Sequence, residues 1–289
     1  TNEPRDDHPG AGTEPTAGGA RPLAVGDRMR ERVRIAVPAR HNPKLSALLD
    51  RVNDDDDLYA LWVAANVNAV DRLQMSDHGP VHVKIVTNLA VRMLRLLVDR
   101  GVRPSVVRDY GLEPADAEVV VALASLLHDV GMSIHRDGHE DYSLFLAHEK
   151  ARGLLAPLYD PPTAAIVRSE VLHAIIAHRA DGRPLTLEAG IVRVADALDM
   201  AKGRSRIPFE AGAVTIHSVS AAAVEAVHLE PGGDRPVRIR IEMSNSAGIF
   251  QVDELLRRKL SGSGLEPYVE LEASVAGEAE RPLVRHFRL

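Results

Sequence analysis

Eight of the chain's thirteen histidines fall between His78 and His178, and its 289 residues include no cysteine. Within that span, Leu126-Leu127-His128-Asp129-Val130-Gly131 sets a His-Asp pair at the end of a run of Val, Ala and Leu. Burying both side chains costs free energy unless a hydrogen-bond network or a metal ion satisfies them. The pair alone leaves both answers open. Three further segments favour a metal. Asp77-His78-Gly79-Pro80-Val81-His82 places two histidines four residues apart, on one helix face. Ala177-His178 ends an apolar helix, and Ala195-Asp196-Ala197-Leu198-Asp199 carries acids inside another. Nitrogen and oxygen donors without thiolate suit Mn²⁺, Fe²⁺, Zn²⁺, Ni²⁺ or Co²⁺. The cofactor expected is one or two divalent ions from that group or Mg²⁺.

For these side chains to meet, helices must carry them. Apolar residues recur at helical spacing over Leu58–Leu73, Val81–Val98 (closed by Gly101) and Ala115–Val130 (stopped by Gly131). Glu140–Leu155, Ile166–His178 and a segment from Thr186 to about Ala201 continue the pattern, with Glu188 in a first turn where the helix dipole favours an acid. Residues 45–203 thus read as a bundle of about six helices, an architecture that builds metal sites from facing helices. After Arg204 the pattern changes. Strands are expected at Ala213–Val219, from His228-Leu229, at Val237–Met243 and at Tyr268–Val275, with helices at Ser220–Val227 and Gly248–Leu260. That β-α-β-β-α-β order predicts a small ferredoxin-like module, for an α+β chain overall. The expected divisions are a disordered tail at 1–22, a helical domain with its preceding segment at 23–204, and the α+β module at 205–289.

Composition narrows the function classes. A net charge of −6 and a pI near 6.1 argue against a globally basic nucleic-acid binder. The missing cysteine excludes disulfides, thiolate clusters and cysteine nucleophiles. No apolar run reaches membrane-spanning length and the first twenty residues do not read as a signal peptide, so a cytoplasmic protein without a membrane partner is expected.

The ordered set His82, His128-Asp129, Asp196 resembles the HD-domain superfamily of metal-dependent phosphohydrolases, over roughly residues 75–205. Val171-Leu172-His173-Ala174-Ile175-Ile176-Ala177-His178 is similar to the histidine-ending helix of ribonuclease Y-like members, and Ala195-Asp196-Ala197-Leu198 to their Ala-Asp-Ala-Leu segment. His139, followed by Ser143 and Leu146-Ala147, fits their pattern as well. The resemblance implies an all-α bundle in which His82, His128, Asp129 and Asp196 hold a first metal. In two-metal members Asp129 would bridge, with His139 and His178 on the second ion. His148 competes with His139, which is preferred. Two departures stand out: Met132 occupies a position where many members carry lysine, and no Gly-Tyr-Pro signature is present.

The resemblance implies hydrolysis of a phosphoester by metal-activated water, by a phosphodiesterase or phosphatase acting on a nucleotide or nucleic-acid fragment. Its partner would be a phosphorylated small molecule or nucleotide. Asp129 and His78 are the catalytic candidates, His78 as the acid that protonates the leaving oxygen; capping the helix is the plainer role for His78. Lys202, Arg204 and Arg206 are candidates for gripping phosphate, against a solvated basic run. Asp199 either orients a ligand or pairs with Lys202 or Arg206. His135 reads as a surface loop residue or a substrate contact, and His173 as a core or supporting residue. The C-terminal module is expected to form a homodimer contact, bind a regulator or cover the site mouth. The alternatives are an HD-fold di-iron oxygenase, as in myo-inositol oxygenase, and a nucleotide-binding regulatory module without turnover.

Overall fold

A computed structural model of the chain describes residues 25–30, 32–179, 181–200, 220, 222–275 and 287–288. The expected tail at 1–22 lies outside the described residues, as do the strand at Ala213–Val219 and the basic residues Lys202, Arg204 and Arg206. One compact unit ends at Arg32 and includes the short helix α1 (Val25–Arg30); the other begins at Val33 and holds every element below.

The second unit opens with α2 (Pro43–Asp54), α3 (Asp56–Asn66) and a π-helical turn, Val67–Arg72. Local chemistry sets these starts. Asn42 Oδ1 accepts from the Leu45 N–H at 3.0 Å with Pro43 at the first helical position, and Asp55 Oδ1 accepts from Leu58 N–H at 2.8 Å. The bundle continues with α4 (Pro80–Asp99), α5 (Ser105–Tyr110), α6 (Pro114–Leu127), the 3₁₀ turn Val130–Ser133, α7 (His139–Leu155), α8 (Pro161–Ala177) and α9 (Leu187–Leu198). α3 with its π turn, α4 and α6–α9 are the six helices read from the sequence; α2 and α5 are additional.

The centre is α6. Every residue from Asp116 to Leu127 is buried, and α2, α4, α5, α8 and α9 pack around it. Its start is closed reciprocally, the Glu113 side chain taking the N–H three residues on while Asp116 Oδ2 accepts from Glu113 N–H at 3.0 Å. Glu188 has a different task from the dipole role its position suggests. It is fully buried and accepts from Ser105 and Val106 N–H at 3.1 and 3.0 Å, closing the start of α5 from α9.

The chain then forms β1 (Val224–Pro231), β2 (Val237–Met243), β3 (Val269–Val275) and β4 (Phe287–Arg288), in the sheet order β1-β2-β3-β4. Between β2 and β3 runs one continuous helical stretch: α10 (Ile249–Gln251), a π segment Val252–Arg257, and α11 (Arg258–Leu260). The α+β class holds, with a helical part followed by a small sheet. The ferredoxin-like arrangement does not. In that arrangement a crossover helix leaves a gap that another strand fills. Here β2 and β3 are parallel direct neighbours, Val237 opposite Val269, so the crossover skips no position. The expected helix at Ser220–Val227 is cut short: Ser220 and Ala222 are helical, but β1 begins at Val224 and has a register shift near Ala226 that breaks the alternation of burial. No helix among the described residues is long and apolar enough to cross a membrane.

Candidate metal centre

The His-Asp pair sits where α6 gives way to the 3₁₀ turn: His128 is the residue just past the helix and Asp129 leads into Val130–Ser133. That turn packs against the start of α7. A Cβ on Gly131 would fall 2.0 Å from the His139 carbonyl oxygen, so only glycine permits the approach. Ser143 clamps the same junction, its hydroxyl donating to the His128 carbonyl at 2.7 Å and accepting from Gly131 N–H at 2.9 Å. This explains the small residue four positions after His139. On α4, Asp77 accepts from the N–H groups of Gly79 (2.8 Å) and His82 (3.2 Å), so Asp77 rather than His78 closes that helix start.

These elements bring together all six residues expected to bind metal. Asp129 lies between two sets of nitrogens. Its Oδ2 is 3.4 Å from His82 Nε2 and 3.3 Å from His128 Nε2. Its Oδ1 is 3.2 Å from His139 Nε2 and 3.7 Å from His178 Nε2. Asp196, on α9, closes the first set with Oδ1 at 3.5 Å from His82 and 3.7 Å from His128. Among the described residues, the groups able to hold an ion are His82-His128-Asp196, His128-Asp129-His178 and His139-Glu140-His178.

The opposite face of each ring is tied down. His82 Nδ1 meets Asp199 Oδ2 at 2.6 Å. The Nδ1 atoms of His128, His178 and His139 lie 2.8, 2.5 and 2.9 Å from the carbonyl oxygens of Ser125, Ile175 and Arg136. A carbonyl oxygen only accepts, so Nδ1 of His128 and of His178 donates and Nε2 faces the cluster; His139 Nδ1 is shared between the Arg136 carbonyl and the Arg136 guanidinium, whose Nη1 is also 2.9 Å away. Metal-ligating histidines are oriented in this way. Asp199 therefore orients His82, which was one of the two roles open to it.

The electrostatics are strongly coupled. Burial would raise the Asp129 carboxyl, but the His128 charge and hydrogen bonds from His128, His139 and His82 hold it well below the usual carboxylate range. Burial likewise works against Asp196, and the Lys259 charge with hydrogen bonds from His128 and His82 outweighs it, lowering the carboxyl well below its ordinary value. Burial would lower His128; the Asp129 and Asp196 carboxylates raise its pKa to about 9. His178 is pushed down to about 3 by burial, with the charges of Lys259 and His128 acting in the same direction. The His82 and His128 Nε2 atoms are 3.2 Å apart, so two protonated rings would repel there. A cation between them suits both lone pairs, and the thiolate-free donor set fits a divalent ion of the expected kind.

The remaining candidates divide. His78 is half-buried with its ring centroid 5.6 Å from that of His82, and its Nδ1 lies 2.7 Å from Ser76 O. His148 is exposed, nine residues along α7 from His139 and so half a turn away on the opposite face. His173 accepts from Leu185 N–H at 3.0 Å, and exposed His135 accepts from Asp137 N–H at 3.0 Å. Met132 is fully buried against Ala65 and Ala69. Two neighbours of the cluster carried no sequence signal. Glu140 was only an early helix residue, and Lys259 arrives from the C-terminal module to bond Asp196 Oδ2 at 3.1 Å. Nothing local to Lys259 distinguishes it from a solvated helix-end lysine.

Residues 81–201 match the HD domain family. A relative from Methanocaldococcus jannaschii, the uncharacterized protein MJ1020, is 43% identical over 219 residues, 76% of this chain and 84% of its own length. The family match spans α4 to α9, the elements that bring His82, His128, Asp129 and Asp196 to one point, and the chain belongs to the HD-domain superfamily.

Proposed function

We propose that this protein is a metal-dependent phosphohydrolase that cleaves a phosphoester of a nucleotide or nucleic-acid fragment. The observation that carries the reading is the division of Asp129: one carboxylate oxygen toward His82 and His128, the other toward His139 and His178. That geometry supports a bridging role. His82, His128, Asp129 and Asp196 would hold one divalent ion, and Asp129, His139 and His178 a second. Bound there, such ions lower the pKa of water and neutralise phosphate oxygens.

The protein's own groups supply the rest. Asp199 and the carbonyls of Ser125 and Ile175 fix the imidazoles of His82, His128 and His178, so little reorganisation is needed when substrate arrives. His78, beside His82, is the candidate that gives a proton to the leaving oxygen. Lys202, Arg204 and Arg206 follow Asp196 and Asp199 in the chain and are proposed to grip phosphate. The expected partner is a phosphorylated small molecule or nucleotide.

The test is metal analysis of the purified protein, then a phosphatase and phosphodiesterase panel with Mn²⁺. Phosphate or nucleotide release is expected, and it should vanish with the metal in the double variant His128→Ala, Asp129→Ala. Full metal content and activity in that variant would overturn the assignment. Nucleotide retained intact through prolonged incubation with several metals would point to a regulatory module. A mixed-valent iron signal formed in air would point to an oxygenase.

A further inference from the structure

Lys259 reaches the cluster from outside the bundle that supplies every candidate ligand. Its Nζ lies 3.1 Å from Asp196 Oδ2 and 2.5 Å from the carbonyl oxygen of His178. The two oxygens of Asp196 are thus divided. Oδ1 faces His82 and His128, while Oδ2 is held by the ammonium. The lysine is itself held. Arg193, buried on α9 one turn before Asp196, donates Nε to Lys259 O at 2.9 Å and Nη2 to Arg258 O at 3.1 Å. One helix therefore carries both the carboxylate and the clamp that fixes the backbone of its lysine partner.

We infer that Lys259 is a positioning residue of the metal centre. It keeps Asp196 turned with Oδ1 toward His82 and His128, and it makes the C-terminal module a working part of a site whose ligands all lie in the bundle. This rests on the metal-centre reading above. An ammonium also repels a dication, which works against the role. Its attachment to the carboxylate oxygen that does not face the histidines, with a second anchor on the His178 carbonyl, makes orientation the larger effect.

The experiment is Mn²⁺ titration of the full chain, by calorimetry and by the electron paramagnetic signal of free Mn²⁺, for wild type, Lys259→Gln, Lys259→Met and Lys259→Arg. Gln keeps a donor for the His178 carbonyl; Met keeps the packing of the stem, so the test does not hang on one variant folding. Loss of an outer-shell partner weakens metal binding by roughly 10–100-fold. That loss is expected in Gln and Met, with unchanged circular dichroism, and Arg should recover most of it. In an Asp196→Ala background, Lys259→Gln should cost nothing further, because the lysine acts through Asp196. Wild-type or tighter Mn²⁺ binding in Lys259→Gln overturns the inference while leaving the metal centre standing. A wild-type protein that takes up no Mn²⁺ overturns both.

Discussion

At the scale of single residues, a histidine presents one nitrogen reliably only when the other is held. Asp199 does this for His82, buried and 2.6 Å from its Nδ1. Asp199→Ala should therefore leave the ring in place but free to turn, and weaken Mn²⁺ binding by roughly 10–100-fold. Calorimetric titration against wild type checks this; unchanged affinity would remove Asp199 from the centre. The sequence made part of this legible. His128, Asp129 and Asp196 stand out because polar groups at the end of or inside apolar runs demand partners. Asp199 was visible as an acid one turn from Asp196, which left open whether it orients a ligand or pairs with Lys202 or Arg206, and did not say which ligand. The ring it orients lies 117 residues away. Lys259 was invisible for the same reason, its contact being 63 residues distant.

At the scale of elements, two buried polar junctions hold the helices that carry the ligands. Ser143 joins α7 to the His-Asp turn through two hydrogen bonds. Ser143→Ala leaves the His128 carbonyl and the Gly131 N–H without that partner and should cost about 1–3 kcal/mol in urea unfolding. A change within error would make the junction incidental. Glu118 joins α2, α4 and α6, taking Arg95 Nε at 2.7 Å and Asn42 Nδ2 at 2.9 Å. Burial would raise its carboxyl, yet the hydrogen bonds from Arg95, Asn42 and His41 outweigh burial and hold it below its ordinary 4.5. A depressed carboxyl contributes stability above its unfolded pKa and loses it as pH falls through the folded value. Glu118→Gln should therefore be destabilised by roughly 1.5–3 kcal/mol at pH 7. The gap to wild type should stay constant down to about pH 5 and narrow below 4.5. Urea midpoints across that range test the sign, and a gap that widens in acid would refute it. The long helices were legible because their apolar stripes are regular. β1 was not, since its register shift hides the period of two, and the pairing of β2 with β3 depends on where the crossover lands, which no local pattern records.

At the scale of the whole molecule, Val33 onward forms one compact unit, so the helical part and the sheet should not behave as separable pieces. The two meet closely at Gly190, on α9, where an added Cβ would fall 2.2 Å from the Ser263 carbonyl oxygen. That neighbour is backbone in the turn that follows α11, and it cannot swing aside as a side chain would. Gly190→Ala must push the turn away from α9, the helix that carries Arg193 and Asp196. Overpacking of this kind costs about 1–3 kcal/mol, partly offset by the better helix propensity of alanine. A merely local clash would lower stability and leave Mn²⁺ binding alone. If instead the C-terminal module sets the geometry of Asp196 through Lys259, the same substitution, which touches no candidate ligand, should weaken Mn²⁺ binding as well. Bound metal stabilises a fold by RT ln(1 + c/Kd), with c the free Mn²⁺ concentration, so a variant with a larger Kd should also show a smaller rise in melting temperature on adding Mn²⁺. A full wild-type rise in a destabilised Gly190→Ala protein would separate the two parts of the chain and confine the metal centre to the bundle.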